Sequence, residues 1–374
     1  MSQSHPRALM PDYLRLIALF GIAIVNVQVM AYPAMEGFPA ASIQSGFDRL
    51  VVWLVDGLAY FKTYGLFSFM FGVGLAFQMG SAERRGLAFG PLYRNRMAGL
   101  ILLGLLHALL FFPYDILVLY GITGSILYFL RNWSVRGLIR LGAMLLVIQA
   151  VVSSALFLSP EANTLGHPLE RAINTGGTLS HVVSLRSETF LGLLPFLLII
   201  QGIAALGWFC LGLAAVKSGL IDHVDHPAWR RARGWFLIPG VTLSLFGAGL
   251  NQFEFHVPST IVSSFAAPIA TIGYLGVIAQ IAKPPSPRMA QWLTAGGSSL
   301  SIYFGQSIVL TTIFGPYGLD LWDGVGPAAA VGIAIVVTGA LMGAIMLWRK
   351  FFALGPFEWV LRRITQFGQP AKPS

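Results

Sequence analysis

Apolar runs of about 17–25 residues recur along the whole chain, and that length is what an α-helix needs to cross the hydrocarbon of a bilayer. We read ten: 14–33, 50–80, 97–112, 115–130, 136–158, 190–216, 234–251, 259–282, 297–315 and 327–353. Backbone polar groups in lipid must be satisfied within the protein, so such runs fold as helices and pack as a bundle. Composition closes off the alternatives: 56% of the 374 residues are hydrophobic and 10% charged, too few charges to cover a water-soluble surface of this size. The expected fold is all-α, a polytopic transmembrane bundle in which residues 1–374 form a single integral membrane domain. The second run is long for one crossing. Asp56, Lys62 and Gly65 interrupt it, which suggests an interfacial segment before the helix proper.

The basic residues test this count. With the N-terminus inside, 20 of the 24 lysines and arginines fall on one side, and only Arg49, Arg171 and Arg186 fall opposite, with Lys62 in or beside the second run. A miscounted helix would scramble that alternation, so the positive-inside bias supports ten spans with both termini cytoplasmic. It also explains the net charge of +9 without nucleic acid, which would call for a basic water-exposed face with stacking aromatics. The single cysteine, Cys210, excludes an internal disulfide and a thiolate metal cage. Arg7 followed by an apolar run looks like a secretory leader, but no small-residue cleavage site follows, so the run reads as the first retained helix. Residues 159–189, rich in Asn, Gly, Thr and Ser, read as an external loop.

A charge inside the hydrocarbon is costly unless paired or hydrated, so each one is a candidate for function. In the first run Asp12 and Arg15 stand at i and i+3, close enough to pair at the membrane boundary. Asn26 follows Arg15 by eleven residues, three helical turns, so the two share a face about 16 Å apart. The sharpest signal is in the third run: Arg94-Asn95-Arg96 opens it, His107 lies near its far end, and Phe111-Phe112-Pro113-Tyr114-Asp115 turns the chain. An imidazole shuttles protons near neutrality and a carboxylate fixes its tautomer. His107 and Asp115 therefore read as a general base and its orienting acid in a hydrated vestibule that Asn26 lines. The plainer alternative has His107 bonding a carbonyl and Asp115 capping the next helix. His223-Val224-Asp225-His226 lacks a fourth metal ligand and reads as a solvated loop; Glu254 and His256 join His107 only if the bundle brings them together. Gly72-Val73-Gly74 lies in an apolar helix, where small residues allow close packing. No metal site is expected.

Several segments resemble the YeiB-like family of bacterial membrane proteins. They are Asp12-Tyr-Leu-Arg15 through Asn26; Leu66 to Gly74; Arg96 through His107 to Asp115 and Tyr120; Ser299 to Tyr303 with Gln306-Ser307; and Gly355-Pro-Phe-Glu358-Trp359. That family is more distantly similar to transmembrane acyltransferases, which take an acyl group from cytoplasmic acyl-CoA and deliver it across the membrane. One acyltransferase branch carries histidine eleven residues after the arginine; this sequence has Asn26 there, so if the chain is an acyltransferase either His107 substitutes or the reaction differs.

The resemblance implies an acyltransferase-like protein of the bacterial inner membrane, with acyl-CoA as co-substrate. In it His107, Asp115 and Asn26 are catalytic candidates, with Asn26 bonding the acyl carbonyl or its oxyanion. Arg84, Arg85, Arg94 and Arg96 meet the CoA phosphates, and Arg15, Tyr120 and Gln306 are substrate-binding candidates. Partners are membrane lipids and a small-molecule, lipid or glycan acceptor bearing a hydroxyl or amine, with a homodimer as a candidate assembly. Two rival readings share these residues: a proton-coupled transporter of a small apolar or lipidic solute, and a non-catalytic lipid-binding or assembly protein.

Overall fold

The computed structural model describes residues 8–33, 38, 42–43, 45–156, 158 and 169–368. Among them every regular element is helical, and there is no strand. Sixteen α-helices occur in order: α1 Met10–Ala31, α2 Gly46–Leu54, α3 Lys62–Arg84, α4 Phe89–Leu110, α5 Ile116–Leu130, α6 Val135–Leu156, α7 Glu170–Gly176, α8 Leu179–Leu197, α9 Ile203–Lys217, α10 Pro227–Ala232, α11 Ile238–Gln252, α12 His256–Ile281, α13 Pro287–Gly296, α14 Ser299–Phe314, α15 Pro327–Trp348 and α16 Pro356–Thr365. Single π-helical turns at Val55–Ala59, Leu198–Gly202 and Arg233–Leu237 interrupt the columns built from α2–α3, α8–α9 and α10–α11.

Each of the ten apolar runs is helical. Seven columns are long and apolar enough to cross a membrane, and the chain is a multi-pass membrane protein. Of the remaining runs, α5 and α14 are shorter apolar helices, and α4 carries Arg94-Asn95-Arg96 in its second turn. Many of the largest apolar side chains face outward, Phe129, Trp235, Phe246 and Val336 among them. Water would reject that surface and hydrocarbon accepts it.

The polar stretch at 159–189 differs from the loop expected of it. Residues 159–168 lie outside the described residues, but α7 covers most of 169–178 and α8 begins at Leu179, well ahead of the apolar run at 190–216. The Thr178 hydroxyl and the His181 ring close a capping box at the start of α8, which lets a polar segment extend the helix.

Helix ends meet in two groups. At one end Lys217 donates to the carbonyls of Arg131 and Trp133 at 3.0 and 2.6 Å. Asn95 donates there to Phe367 and Tyr13 to Lys283. At the other, Tyr32 donates to the Val325 carbonyl, Gln252 to Arg49, and Arg171 pairs with Asp323. We name these the arginine end and the hairpin end, after the α4–α5 turn that belongs to the second.

Lipid supplies no hydrophobic drive between helices, so close backbone packing has to do that work. It is tightest between α3 and α9. A Cβ added to Gly72 would sit 2.1 Å from the Phe209 carbonyl oxygen, and one on Gly212 would sit 2.1 Å from that of Phe69. The two glycines interlock reciprocally. Gly74, by contrast, faces open space but for the Gln78 amide. Asp12 and Arg15 pair at 3.2 Å on the first turns of α1.

Candidate active site

Gly104 decides where His107 points. A Cβ at Gly104 would lie 2.6 Å from the Val118 nitrogen and 2.7 Å from the Asp115 carboxylate, so α4 and α5 close their hairpin on this face. Residues i and i+3 share a helix face, and His107 therefore opens onto the first turn of α5. Its Nδ1 lies 2.8 Å from Asp115 Oδ2, with both side chains fully buried. Neither ring nitrogen makes an aligned hydrogen bond, so the contact is a close electrostatic pair lying off the N–H direction.

Asp115 divides its carboxylate between a helix cap and the imidazole. Its Oδ1 accepts from the Leu117 and Val118 nitrogens at 2.7 and 2.9 Å and caps α5. Its Oδ2 faces His107 and, at 3.4 Å, the Tyr303 hydroxyl. The cap fixes the carboxylate in the orientation that the imidazole meets. At the other side of the turn Arg186 donates to the Leu110 carbonyl at 2.6 Å and to the Tyr317 hydroxyl at 2.9 Å. A cation thus closes the C-terminus of α4 and an anion the N-terminus of α5, the arrangement both helix dipoles favour.

The expected hydrated vestibule is replaced by packing. Tyr303 and Phe304 stand with ring centroids 4.7 Å from the imidazole, and Phe112 and Phe111 at 6.2 and 6.3 Å. Beyond the last two rings lies a cavity of about 50 Å³, lined among others by Met30, Tyr114, Glu170, Asn174, Arg186 and Trp322. The Tyr114 hydroxyl is buried without a hydrogen-bond partner.

The other sequence candidates disperse. Asn26 is half-buried on α1, and no hydrogen bond or ion pair joins it to His107 or Asp115. Tyr120 shares the His107 side of the core with Tyr303, and its hydroxyl meets that of Ser68 at 2.7 Å. Gln306 donates to the Leu19 carbonyl and the Thr338 hydroxyl, both at 3.0 Å, and ties α14 to α1 and α15. Arg84, Arg85 and Arg94 are exposed at the arginine end. Arg96 lies half-buried within electrostatic reach of Arg15 and Glu358, and its Nε lacks a partner. His256 bonds Asn251 at 2.9 Å, with no hydrogen bond or ion pair to His107, and His223 bonds the Gly219 carbonyl at 2.8 Å. No group of three or more metal-ligating side chains stands together among the described residues.

Sequence reasoning gave no site role to Tyr303, Arg186 or Glu358. Tyr303 and Glu358 lay within resembling segments; Arg186 lay in a stretch read as loop. Glu358 accepts from the Leu300 and Ser301 nitrogens at 2.7 and 3.1 Å and from the Ser301 hydroxyl, so α16 caps α14, the helix that carries Tyr303.

Comparison with known proteins gives relatives for the whole chain. It is 29% identical to the uncharacterized protein YxaH of Bacillus subtilis (strain 168), over 95% of this chain and 93% of that protein. It is 25% identical to the uncharacterized protein YeiB of Escherichia coli (strain K12), over 95% of each chain. An uncharacterized 39.9 kDa protein in the amylase 3′ region of Bacillus acidopullulyticus is also 25% identical, over 95% of this chain and 92% of its own. No solved structure matches. Residues 215–368 match the family model described as protein of unknown function (DUF418), and together with these full-length relatives that match supports a YeiB-like DUF418 family for the chain.

Proposed function

We propose that the chain is a transmembrane acyltransferase of the bacterial inner membrane, with the arginine end in the cytoplasm and the hairpin end outside. One observation carries the reading: a histidine and an aspartate inside a membrane bundle, 2.8 Å apart and fully buried, with the carboxylate held rigid by the helix it caps. Such a pair is expensive in hydrocarbon and has the composition of a general base with its orienting acid.

In this mechanism His107 Nε2 takes the proton of an acceptor hydroxyl or amine, and Asp115 steadies the imidazolium that forms. The acceptor attacks the thioester carbonyl, and Asn26 donates to the resulting oxyanion. Collapse expels the CoA thiolate, which recovers the proton from His107. The acyl donor enters from the arginine end, where Arg84, Arg85 and Arg94 are exposed and Arg15 and Arg96 stand close together, a concentration of positive charge suited to phosphates. Eleven residues of helix, about 16 Å, separate Arg96 from His107, a distance of the order of an extended pantetheine chain. The acceptor enters through the Arg186 cavity, and Phe111 and Phe112 move aside to admit it. In this reading Arg15, Tyr120 and Gln306 would contact substrate along the way.

Purified protein in lipid nanodiscs, given labelled acetyl-CoA and varied sugar and lipid acceptors, should transfer label. His107→Ala should reduce transfer by about 10²-fold or more, the range of general-base catalysis. Turnover by no acyl donor would end the enzyme reading, and substrate-dependent proton movement lost in His107→Gln would replace it with proton-coupled transport.

A further inference from the structure

A second charged pair lies deeper, where the long second column breaks. The π-helical turn at Val55–Ala59 ends on Tyr60, and Phe61 takes φ 62°, ψ −32°, a backbone position that large side chains rarely hold. Lys62 then starts α3 with 1% of its surface exposed. Its ammonium donates to the Asp56 main-chain carbonyl at 3.1 Å, which accounts for one of three N–H donors. The Asp56 carboxylate lies within electrostatic reach of Lys62 and beside the Asn251 side chain.

The depth of this break is set by its neighbours. Gly21 is midway along α1, and a Cβ there would lie 2.5 Å from the Thr63 hydroxyl. Lys62 is therefore near the middle of the bundle, where nothing but its partners can offset its charge. Gln28, seven residues beyond Gly21 and so on the same face of α1, is 4% exposed with its amide nitrogen unpartnered. On the hairpin side the polar line runs outward from Asp56 to Asn251, whose Oδ1 meets His256 Nδ1 at 2.9 Å, and both of those residues are exposed. Behind the break Phe61 lines a cavity of about 30 Å³ shared with Tyr64, Gln149, Gln201 and Ser264. The Ser264 hydroxyl is buried there without a partner, and the space suffices for a water.

We propose that Asp56 and Lys62 form a proton-exchange site, distinct from His107–Asp115, that links water at the hairpin end to the mid-bundle cavity. A proton arriving past His256 and Asn251 binds the Asp56 carboxylate and makes it a neutral acid. Lys62, without its counter-charge, releases a proton to water that reaches it past Phe61 from the cavity and becomes a neutral amine. Transfer of the Asp56 proton to Lys62 restores the original pair, so one proton has moved inward and no other bond has changed. Other titratable groups around the pair are Tyr60 on the same turn and Tyr274 of α12, whose hydroxyl donates to the Leu58 carbonyl at 3.1 Å. On the Gly21 face of α1 the buried polar residue is the neutral Gln28. Broken helices with ionisable residues at mid-membrane are where carriers hold their coupling ions.

Full-length protein in nanodiscs, with no CoA ester present, tests this by infrared difference spectroscopy after a pH jump. Wild type should give a carboxyl-region band that Asp56→Asn and Lys62→Met remove and Asp115→Asn retains. His256→Ala with Asn251→Ala should slow the appearance of that band roughly tenfold or more, the scale of a lost proton carrier. These two positions are exposed, so the doubly substituted protein serves even if the buried variants fail to fold. Absence of any Asp56-dependent band, or an unchanged rate in the entrance variant, overturns the proposal. Either result leaves acyl transfer by His107 to be judged separately.

Discussion

The two buried pairs solve the cost of charge in a membrane in opposite ways. His107 and Asp115 come from two helices joined by a tight turn, and their contact is side chain to side chain at 2.8 Å. The carboxylate spends its remaining capacity on a helix terminus, and aromatic rings seal the rest. Asp56 and Lys62 come from one column that is broken between them, and the ammonium meets a main-chain carbonyl rather than the carboxylate directly. The first pair is held by a regular hairpin that engages both carboxylate oxygens, while neither imidazole nitrogen makes an aligned hydrogen bond. The second leaves two ammonium donors open, next in the chain to Phe61, which lines a cavity. A carboxylate fixed by the helix it caps suits a group that must keep one orientation, and an ammonium with open donors suits a group that must change partners.

Breaking each pair should expose that difference, beginning with the largest effect. Asp115→Ala removes a buried counter-charge and a helix cap together. It should destabilise by about 3–5 kcal/mol from the lost partner, with about 1 kcal/mol more from the cap, read as thermal unfolding in detergent. Asp115→Asn, which keeps the cap, should recover part of that loss. Lys62→Ala should cost about 3 kcal/mol because it strands Asp56, and the Asp56→Ala, Lys62→Ala double variant should be milder than either single change. Additive losses in that cycle would show that the two charges do not act as a pair.

Gln306→Leu supplies a neutral reference for both. It leaves the Thr338 hydroxyl and the Leu19 carbonyl without this donor, a loss of about 1–3 kcal/mol. Should it equal Asp115→Ala, charge would not be what distinguishes the His107 site. The smallest effect belongs to Arg85→Ala at the exposed arginine end. Stability should stay within about 0.5 kcal/mol, while the acyl-CoA concentration at half-maximal transfer rises; no change in it would detach this arginine from the donor.

Much of the hairpin was legible in the sequence because it is local. His107 and Asp115 stand eight positions apart, and a turn-forming Phe-Pro-Tyr stretch lies between them; that Gly104 closes the packed face came from the structure. The broken helix was legible only as a disturbance. Asp56, Lys62 and Gly65 signalled that the column was irregular, but no proline marks the break at Tyr60–Phe61. The segment before it packs along α11, with Trp53 donating to the Leu245 carbonyl at 2.9 Å. Asn26 illustrates the converse: its spacing from Arg15 fixes a shared face on α1 and says nothing of which helix that face meets.

The amino-acid pattern by itself determined the helical class, the positions of the ten apolar runs and the residues whose charge demands a partner. Those properties depend on hydrophobicity and on contacts a few residues apart. Only the tertiary structure decided that Tyr303 closes on Asp115, that Arg186 reaches across to the end of α4, that α16 caps α14, and that Gly21 sets Lys62 at mid-bundle. Each joins elements dozens to hundreds of residues apart. Lipid-facing and protein-facing apolar residues look alike along the chain, so the helix–helix register comes from interlocking shape, as between Gly72 and Gly212, rather than from any alternation that a sequence displays.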